Sequence, residues 1–156
     1  EHGLARELLQ DATFVINRQG RIKNAISASG KHIASPRLTD GGISLTNDGA
    51  IELHSHRRRK IPSGFVSTQA WNFIGEGPAW VVVDDDAEPF VRKGRNVFHG
   101  FVLAADPWIT PGRTCLIVNQ KGELLGHGLS NCTSEEFATF SKGIAIKTRD
   151  GLREDN

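Results

Sequence analysis

Short apolar runs broken by Gly, Asp and Asn recur along the chain, and this pattern favours short strands over long helices. Residues 13–46 contain four such runs with turn residues between them. Gly20 and Gly30 stand in two of these turns, where a positive φ is easiest for glycine. The pattern predicts an antiparallel β-meander in this part of the chain.

Helical spacing of apolar residues appears on both sides of the meander. Three leucines share one face of a helix predicted over residues 4–10. A second helix is predicted over residues 50–60, after a turn at residues 47–49, and its basic C-terminal end suits the helix dipole. The first unit is therefore predicted to be α+β, with a small antiparallel sheet between two helices.

The second half of the chain has five strand-like runs in about 75 residues, which predicts a mostly β, closed or nearly closed barrel. A short helix is predicted over residues 134–140, capped by Thr133 or Ser134 with Glu136 reaching back. The five runs are residues 79–84, 100–106, 114–119, 123–130 and 143–149.

A connector at residues 61–78 mixes Pro, Gly and Ser with isolated aromatics, which predicts a segment packed against both halves. We place the domain boundary near Gly77 and Pro78. The predicted organisation is a small α+β domain at residues 1–77 and a barrel at residues 78–153.

Composition places the chain among ordinary globular proteins, with 156 residues of which 38% are hydrophobic and 24% charged. No stretch approaches the roughly 18 apolar residues of a membrane helix, and the N-terminus lacks a signal-peptide pattern. We expect a cytoplasmic protein that does not contact a membrane. The two cysteines, Cys115 and Cys132, are too few for a disulfide framework or a zinc site and are expected to be buried thiols.

The distribution of charge says more than its total. The net charge is only +1 at pH 7, which gives no argument for nucleic-acid binding. Acidic residues gather at 84–88, however, and basic residues gather at 57–60 and 92–95. Such separation can create a positive face on a nearly neutral molecule.

From Asp86 onward the sequence resembles the PUA domain. Four features support the resemblance: the stretch AEPFVRKGRNVF, Asp106 ahead of Pro111-Gly112, a strand ending LLGHGLS, and a last strand opening at Lys142-Gly143. Within that family the chain resembles the C-terminal end of archaeal tRNA-guanine transglycosylases, the enzymes of archaeosine formation, or a related stand-alone PUA-domain protein.

The resemblance extends upstream through GRIKNAI, a Gly-Lys-His turn and IASPRLTDGGISLTNDGAIEL to the small domain that precedes PUA in those enzymes. Their catalytic barrel, with its carboxylate nucleophile and zinc site, would need roughly two hundred further residues. The resemblance therefore implies a non-catalytic RNA-holding module without metal or cofactor, either a separate subunit for a catalytic partner or an excised end.

The segment from Val91 to Phe98 is the predicted RNA contact. Three cations supply charge, Gly94 allows a phosphate close to the backbone, and Asn96 can donate to a ribose or phosphate oxygen. A helix beginning at Gly94 or at the next residue would also point free N–H groups at an anion. By resemblance, the last strand faces the same RNA, which is the acceptor stem and 3′ end of tRNA. The predicted contacts are Arg92, Lys93, Gly94, Arg95, Asn96, Lys142, Gly143, Lys147 and Arg149.

A second basic run is open to two interpretations. A run of four cations is most often the solvated end of a helix, but it can also touch RNA phosphates. We predict that this run is a possible secondary RNA contact. It consists of Arg57, Arg58, Arg59 and Lys60.

Other reactive groups favour structural roles. Asp84 to Asp86 lack the spacing of metal ligands, and His54 and His56 would point to different faces of a helix. We therefore assign no metal. Trp71, Trp80 and Trp108 are interpreted as packing residues rather than base-stacking platforms.

Two rival functions remain open at this point. One is a hydrolytic or RNA-modifying enzyme that uses His127 and Cys132, although no third orienting group is evident. The other is a PUA module of another RNA-modification, translation or ribosome-biogenesis complex that acts through protein contacts. Labelling of Cys132 tests the first rival, and copurification of nucleic acid tests the second.

Overall fold

Two β-sheets organise the part of the chain that the computed structural model describes, residues 8–58, 79–107 and 109–153. The first sheet is the predicted meander, with strands in the order β1-β2-β3-β4 and every pair antiparallel. Gly20 and Gly30 have φ values of 77° and 84° in its first two turns, as the sequence predicts. The strands are β1 (Thr13–Ile16), β2 (Ile22–Ile26), β3 (His32–Pro36) and β4 (Ile43–Leu45).

Helix α1 (Asn47–Arg58) begins three residues before the predicted start. The Thr46 side chain accepts a hydrogen bond from Gly49 N at 3.1 Å, and its carbonyl accepts one from Ala50 N at 2.9 Å. Asn47-Asp48-Gly49 is therefore the first helical turn rather than a separate turn. Gly49 is needed there because a Cβ atom would collide with the backbone carbonyl of Ile33.

The N-terminal helix and the connector lie largely outside the described residues. Leu8 and Leu9 are helical, which is the part of the helix predicted over residues 4–10 that the structure describes. The predicted connector at 61–78, with its domain boundary, falls outside, as do Trp71 and Trp108.

The second sheet has six strands in the order β6-β10-β9-β8-β5-β7. Only β5 and β8 pair in parallel. The edge strands β6 and β7 are separated by a single 3₁₀ turn, His99–Phe101, so the sheet nearly closes on itself as a pseudo-barrel. The five predicted runs are all strands, and β6 is an addition to them. The strands are β5 (Ala79–Val83), β6 (Val97–Phe98), β7 (Val102–Ala105), β8 (Thr114–Val118), β9 (Leu124–Ser130) and β10 (Ile144–Gly151).

Two short helices complete the barrel, α2 (Glu88–Arg92) and α3 (Ser134–Thr139). Thr133 is the residue that caps α3, in a capping box: its hydroxyl accepts from Glu136 N, and the Glu136 carboxylate accepts from Thr133 N at 2.8 Å. Before α2, the Asp84 carboxylate caps a 3₁₀ turn by accepting from Asp86 N at 2.9 Å. The acidic run thus begins a helical segment.

Strands β5 and β8 supply two hydrophobic cores from their two faces. Val81 and Ile117 point into the barrel, where they pack with apolar residues of α2, α3 and β10. Trp80 and Leu116 point outward and pack against the first sheet and α1. The second core thus joins the two units, and its N-terminal members are Leu8, Ala25, Ile33, Ala34, Ala50 and Leu53.

Polar contacts cross the same interface. The His54 ring lies edge-on to Trp80 at a centroid distance of 5.4 Å, and its Nε2 is 2.8 Å from the carbonyl oxygen of Gly122. This contact confirms the packing role predicted for Trp80, which is 2% exposed. Hydrogen bonds from Arg37 Nη2 to Gly112 O at 3.1 Å and from Thr114 Oγ1 to Ile43 O at 2.8 Å also join the units.

No helix among the described residues is long and apolar enough to cross a membrane.

Candidate nucleic-acid interface

The basic RKGR stretch lies at the C-terminal end of helix α2. Lys93 N donates to Phe90 O at 3.1 Å and Gly94 N donates to Val91 O at 2.8 Å, while Gly94 takes a φ of 78°. These are the contacts of a helix terminus. No helix begins at Gly94 or Arg95, so side chains rather than helical N–H groups supply the positive charge of this segment. Pro89 explains the difference, because proline favours the first turn of a helix and so starts it earlier.

Arg92 is held by the protein itself. Its Nη2 lies 2.8 Å from Glu88 Oε1, Nε donates to the same oxygen at 2.9 Å, and Nη1 donates to Leu152 O at 3.3 Å. The side chain is 17% exposed. Arg92 thus fixes α2 against the end of β10, and its contact with RNA stays a prediction.

The Glu88 carboxylate that pairs with Arg92 is stabilised in its ionised form. Partial burial of Glu88 opposes ionisation, but hydrogen bonds from Asn119 and Arg92 outweigh it and lower the pKa of Glu88. The carboxylate therefore stays ionised at neutral pH and keeps the guanidinium in place.

The loop after α2 lies directly against strand β10. Val97 pairs with Ile146, and the Asn96 side-chain oxygen accepts from Thr148 N at 3.1 Å. Gly151 has no room for a Cβ atom, which would collide with the carbonyl oxygens at the end of α2. The structure therefore brings together the loop and the last strand, the two elements that the resemblance predicted to face RNA as one surface.

Four cations of this surface point to solvent. Lys93 and Arg95 are exposed on the loop, and Lys147 and Arg149 are exposed on β10. Each of the four lacks a carboxylate within ion-pair distance among the described residues. We call these four side chains the PUA-loop cations; they are the part of the predicted site that can meet a phosphate directly.

Lys142 and Gly143 lie at the opposite end of β10. Gly143 has a φ of 93° and its carbonyl accepts from His99 N at 3.1 Å, so the turn is anchored beside β6. At about 3.3 Å per residue, Lys142 and Arg149 are roughly 20 Å apart along the strand. The predicted residues at 142–149 therefore lie along an extended line rather than in a compact pocket.

The predicted secondary RNA contact at residues 57–60 falls largely outside the described residues. Arg57 and Arg58 end helix α1, but their side chains lie outside the described residues, as do Arg59 and Lys60 altogether. Their contact with RNA stays a prediction.

Sequence reasoning missed a polar cluster between the first unit and the barrel. The Asn47 amide donates to Asp150 Oδ2 at 2.8 Å, and its oxygen lies 3.1 Å from His127 Nε2. Burial lowers the pKa of His127, although the Asp150 charge opposes the shift. The His127 ring is therefore neutral at pH 7, and its Nε2–H donates to the Asn47 side-chain oxygen. Because Asn47 lies 80 or more positions from both of its partners, no local motif could have revealed the cluster.

The proposed His127 and Cys132 pair gains no support from this geometry. The ring nitrogen of His127 bonds to Asn47, and burial raises the pKa of the Cys132 thiol. Burial and the neighbouring Cys132 raise the pKa of Cys115 to about 12, so both buried thiols favour the protonated form. Within the described part of the chain, His, Cys, Asp and Glu side chains form no group of three suited to a metal.

Residues 79–152 match the family of the PUA domain. This part of the chain is a PUA domain. The match coincides with the six-stranded pseudo-barrel and contains the PUA-loop cations. The first unit, with its meander and α1, lies outside the matched residues.

Two curated relatives match nearly the whole chain. It is 37% identical over 147 residues to a tRNA-guanine(15) transglycosylase of Thermococcus onnurineus, which covers 94% of this chain and 22% of the relative. It is 37% identical over 150 residues to the enzyme of that name from Pyrococcus furiosus, which covers 96% of this chain and 23% of the relative. The chain thus spans about a fifth of the length of the relatives that it matches.

Solved structures show the same fold for both units. A hypothetical protein of Pyrococcus horikoshii OT3 matches with a TM-score of 0.65 at 20% identity, over 98% of this chain and 83% of that one. A conserved PUA domain protein of Thermoplasma acidophilum matches with a TM-score of 0.58 at 15% identity, over 99% and 87%. The sheet, α1 and barrel therefore occur together in other proteins.

Proposed function

We propose that this chain is a non-catalytic module that holds the acceptor stem and 3′ end of tRNA for a base-modifying transglycosylase of archaeosine biosynthesis. One observation supports this most directly: the PUA-loop cations are exposed on two adjacent elements, the loop after α2 and β10, without carboxylate partners among the described residues. The similarity to tRNA-guanine(15) transglycosylases gives the enzyme class.

The geometry suits an RNA stem. A-form RNA is recognised mainly through phosphates and 2′-hydroxyls, because its base edges lie in a deep groove. The surface offers cations on the loop and along β10, and the buried contacts of Arg92 and Gly151 hold these two elements against each other. Such a surface can bind a phosphate row without moving its backbone.

We assign the base-modifying reaction itself to another polypeptide or to a further part of the same polypeptide. The buried thiols and the Asn47-bound His127 leave no activated nucleophile and base pair among the described residues. Holding the acceptor end would position a distant base of the same tRNA at a catalytic site. The partner is therefore proposed to be a catalytic transglycosylase unit.

Titration against tRNA at two salt concentrations tests the proposal. We expect salt-dependent binding that weakens with a tRNA lacking its 3′ single-stranded end. In Lys93→Ala/Arg95→Ala, the loss of two phosphate contacts should flatten the log-log salt slope by about 2. Arg92 is left intact because its removal would break the ion pair with Glu88.

A matched control removes the same charge elsewhere. Lys31 and Lys121 are exposed and lie in turns outside the surface, so Lys31→Ala/Lys121→Ala should change the slope by less than half as much. Equal slopes for the two double variants would refute the site, and absence of salt-sensitive tRNA binding by the unaltered chain would refute the function.

A further inference from the structure

The β1–β2 hairpin, residues 13–26, has positive charge and no acidic residue. Its cations Arg18, Arg21 and Lys23 are all exposed, and none has an ion pair or side-chain hydrogen bond among the described residues. The other cations described in the first unit differ. Lys31 pairs with Asp48 at 2.9 Å and Arg37 pairs with Asp40 at 3.1 Å. The hairpin charges therefore contribute nothing visible to the fold.

The turn that presents these charges is ordered. The Asn17 side-chain oxygen accepts from Gln19 N at 2.9 Å and from Arg21 N at 3.0 Å, and Gly20 supplies the positive φ. Such an Asx turn fixes the backbone of the hairpin tip. Lys23 is the extra residue of a β-bulge, because Asn24 and Ile22 pair with consecutive residues of β1. The cations are thus placed by a defined backbone.

Apolar side chains accompany the charges. Phe14 is 44% exposed and Ile16 is 59% exposed, although strands usually bury such residues on one face. Val15 and Ile22 are exposed as well. The hairpin thus carries an exposed aromatic ring as well as cations. Surfaces that bind nucleic-acid strands combine the two, because charge meets phosphate and rings meet bases or sugars.

The hairpin includes the edge strand of the four-stranded sheet that is farther from the barrel. Strand β4 touches the barrel through the hydrogen bond from Thr114 to Ile43 O, while β1 is at the opposite edge of the four-stranded sheet. Three strand spacings separate β1 from β4, about 14 Å. An RNA that touches both surfaces must be extended, as a stem is.

We infer that the β1–β2 hairpin is a second RNA contact, outside the PUA domain, whose cations bind the phosphate backbone of the tRNA held by the PUA-loop cations. The inference rests on the proposed function for the identity of the RNA. Charge complementarity selects RNA over an added protein strand, since a neutral strand would leave three cations without partners.

Salt-dependent tRNA binding by the full chain tests the hairpin. Arg18→Ala/Arg21→Ala is expected to flatten the log-log salt slope by about 2, since each lost phosphate contact lowers it by about 1. Lys31→Ala/Lys121→Ala is the charge-matched control, with an expected change below half of that. Both hairpin side chains lack partners among the described residues, so circular dichroism melting should show an unchanged fold.

The four outcomes separate the inference from the proposed function. A flattened slope in the hairpin variant and in Lys93→Ala/Arg95→Ala supports both, and a flattened slope in the hairpin variant alone supports the inference and overturns the PUA-loop site. A flattened slope in the PUA-loop variant alone, including the case where the hairpin binds protein instead, overturns the inference and leaves the function standing. No tRNA binding by the unaltered chain overturns both.

Discussion

The core inside the barrel and the core between the two units use opposite faces of the same two strands. Val81 and Ile117 belong to the first, while their neighbours Trp80 and Leu116 belong to the second. The barrel core is enclosed by a sheet that nearly closes through its own backbone hydrogen bonds. The second core depends on a sheet and a helix that come from a distant part of the chain.

The second core is bordered by hydrogen bonds between the two units, and we call this border the polar margin. Apolar contact alone is not directional, so hydrogen bonds at the edge of the interface fix how the first unit sits on the barrel. Asn47, His54 and Thr114 make these bonds. The outer surface of the PUA domain is therefore apolar where the first unit covers it and cationic along β10.

The largest expected effects test whether the two cores are equivalent. Leu116 and Ile117 are adjacent, 1% and 0% exposed, and point into different cores. Leu116→Ala and Ile117→Ala should each lower the free energy of unfolding by about 2–5 kcal/mol. Urea denaturation should show one transition for both variants. A loss below about 1 kcal/mol for Leu116→Ala alone would mean that the first unit adds little to stability.

A smaller effect is expected at the polar margin. Asn47→Ala removes the acceptor of buried His127 and the donor to Asp150, which should cost about 1–3 kcal/mol. Asp48→Ala is the matched control on the same helical turn, since its exposed ion pair with Lys31 is worth at most about 1 kcal/mol. Equal losses in denaturation would show that the Asn47 contacts do not fix the interface.

The smallest effect is a pH dependence at His127. Its folded-state pKa lies below the 6.5 of the unfolded chain, so between these two values the unfolded state binds more protons. The contribution of His127 to stability should therefore be constant well above pH 6.5 and fall as pH drops below it, by at most about 1.4 kcal/mol per pH unit. The difference in unfolding free energy between the unaltered chain and His127→Gln, measured from pH 7.5 to 5, should show this slope. A difference that grows in favour of the unaltered chain on acidification would contradict it.

Some residues of the candidate site were predicted from the charge pattern, and others only from the family resemblance. The basic run at residues 92–95 was visible as a charge pattern. The exposure of Lys147 on β10 does not follow from strand alternation, because Ala145 on the same side of the strand and Ile146 are both fully buried. The closeness of Lys93 to that strand came only from the family resemblance. The role of Arg92 was not foreseen, because a charge run does not show which of its members meets a partly buried carboxylate such as that of Glu88.

The sequence by itself determined the local structure: four meander strands, five barrel strands, the turns at Gly20 and Gly30, and the capping box of α3. These follow from periodicity, backbone freedom and side-chain contacts within a few residues. Only the tertiary structure decided the second core, the Asn47 cluster and the separation of held from exposed cations. Those depend on which distant surfaces meet, and pairwise contacts across 80 or more residues leave no local pattern in the chain.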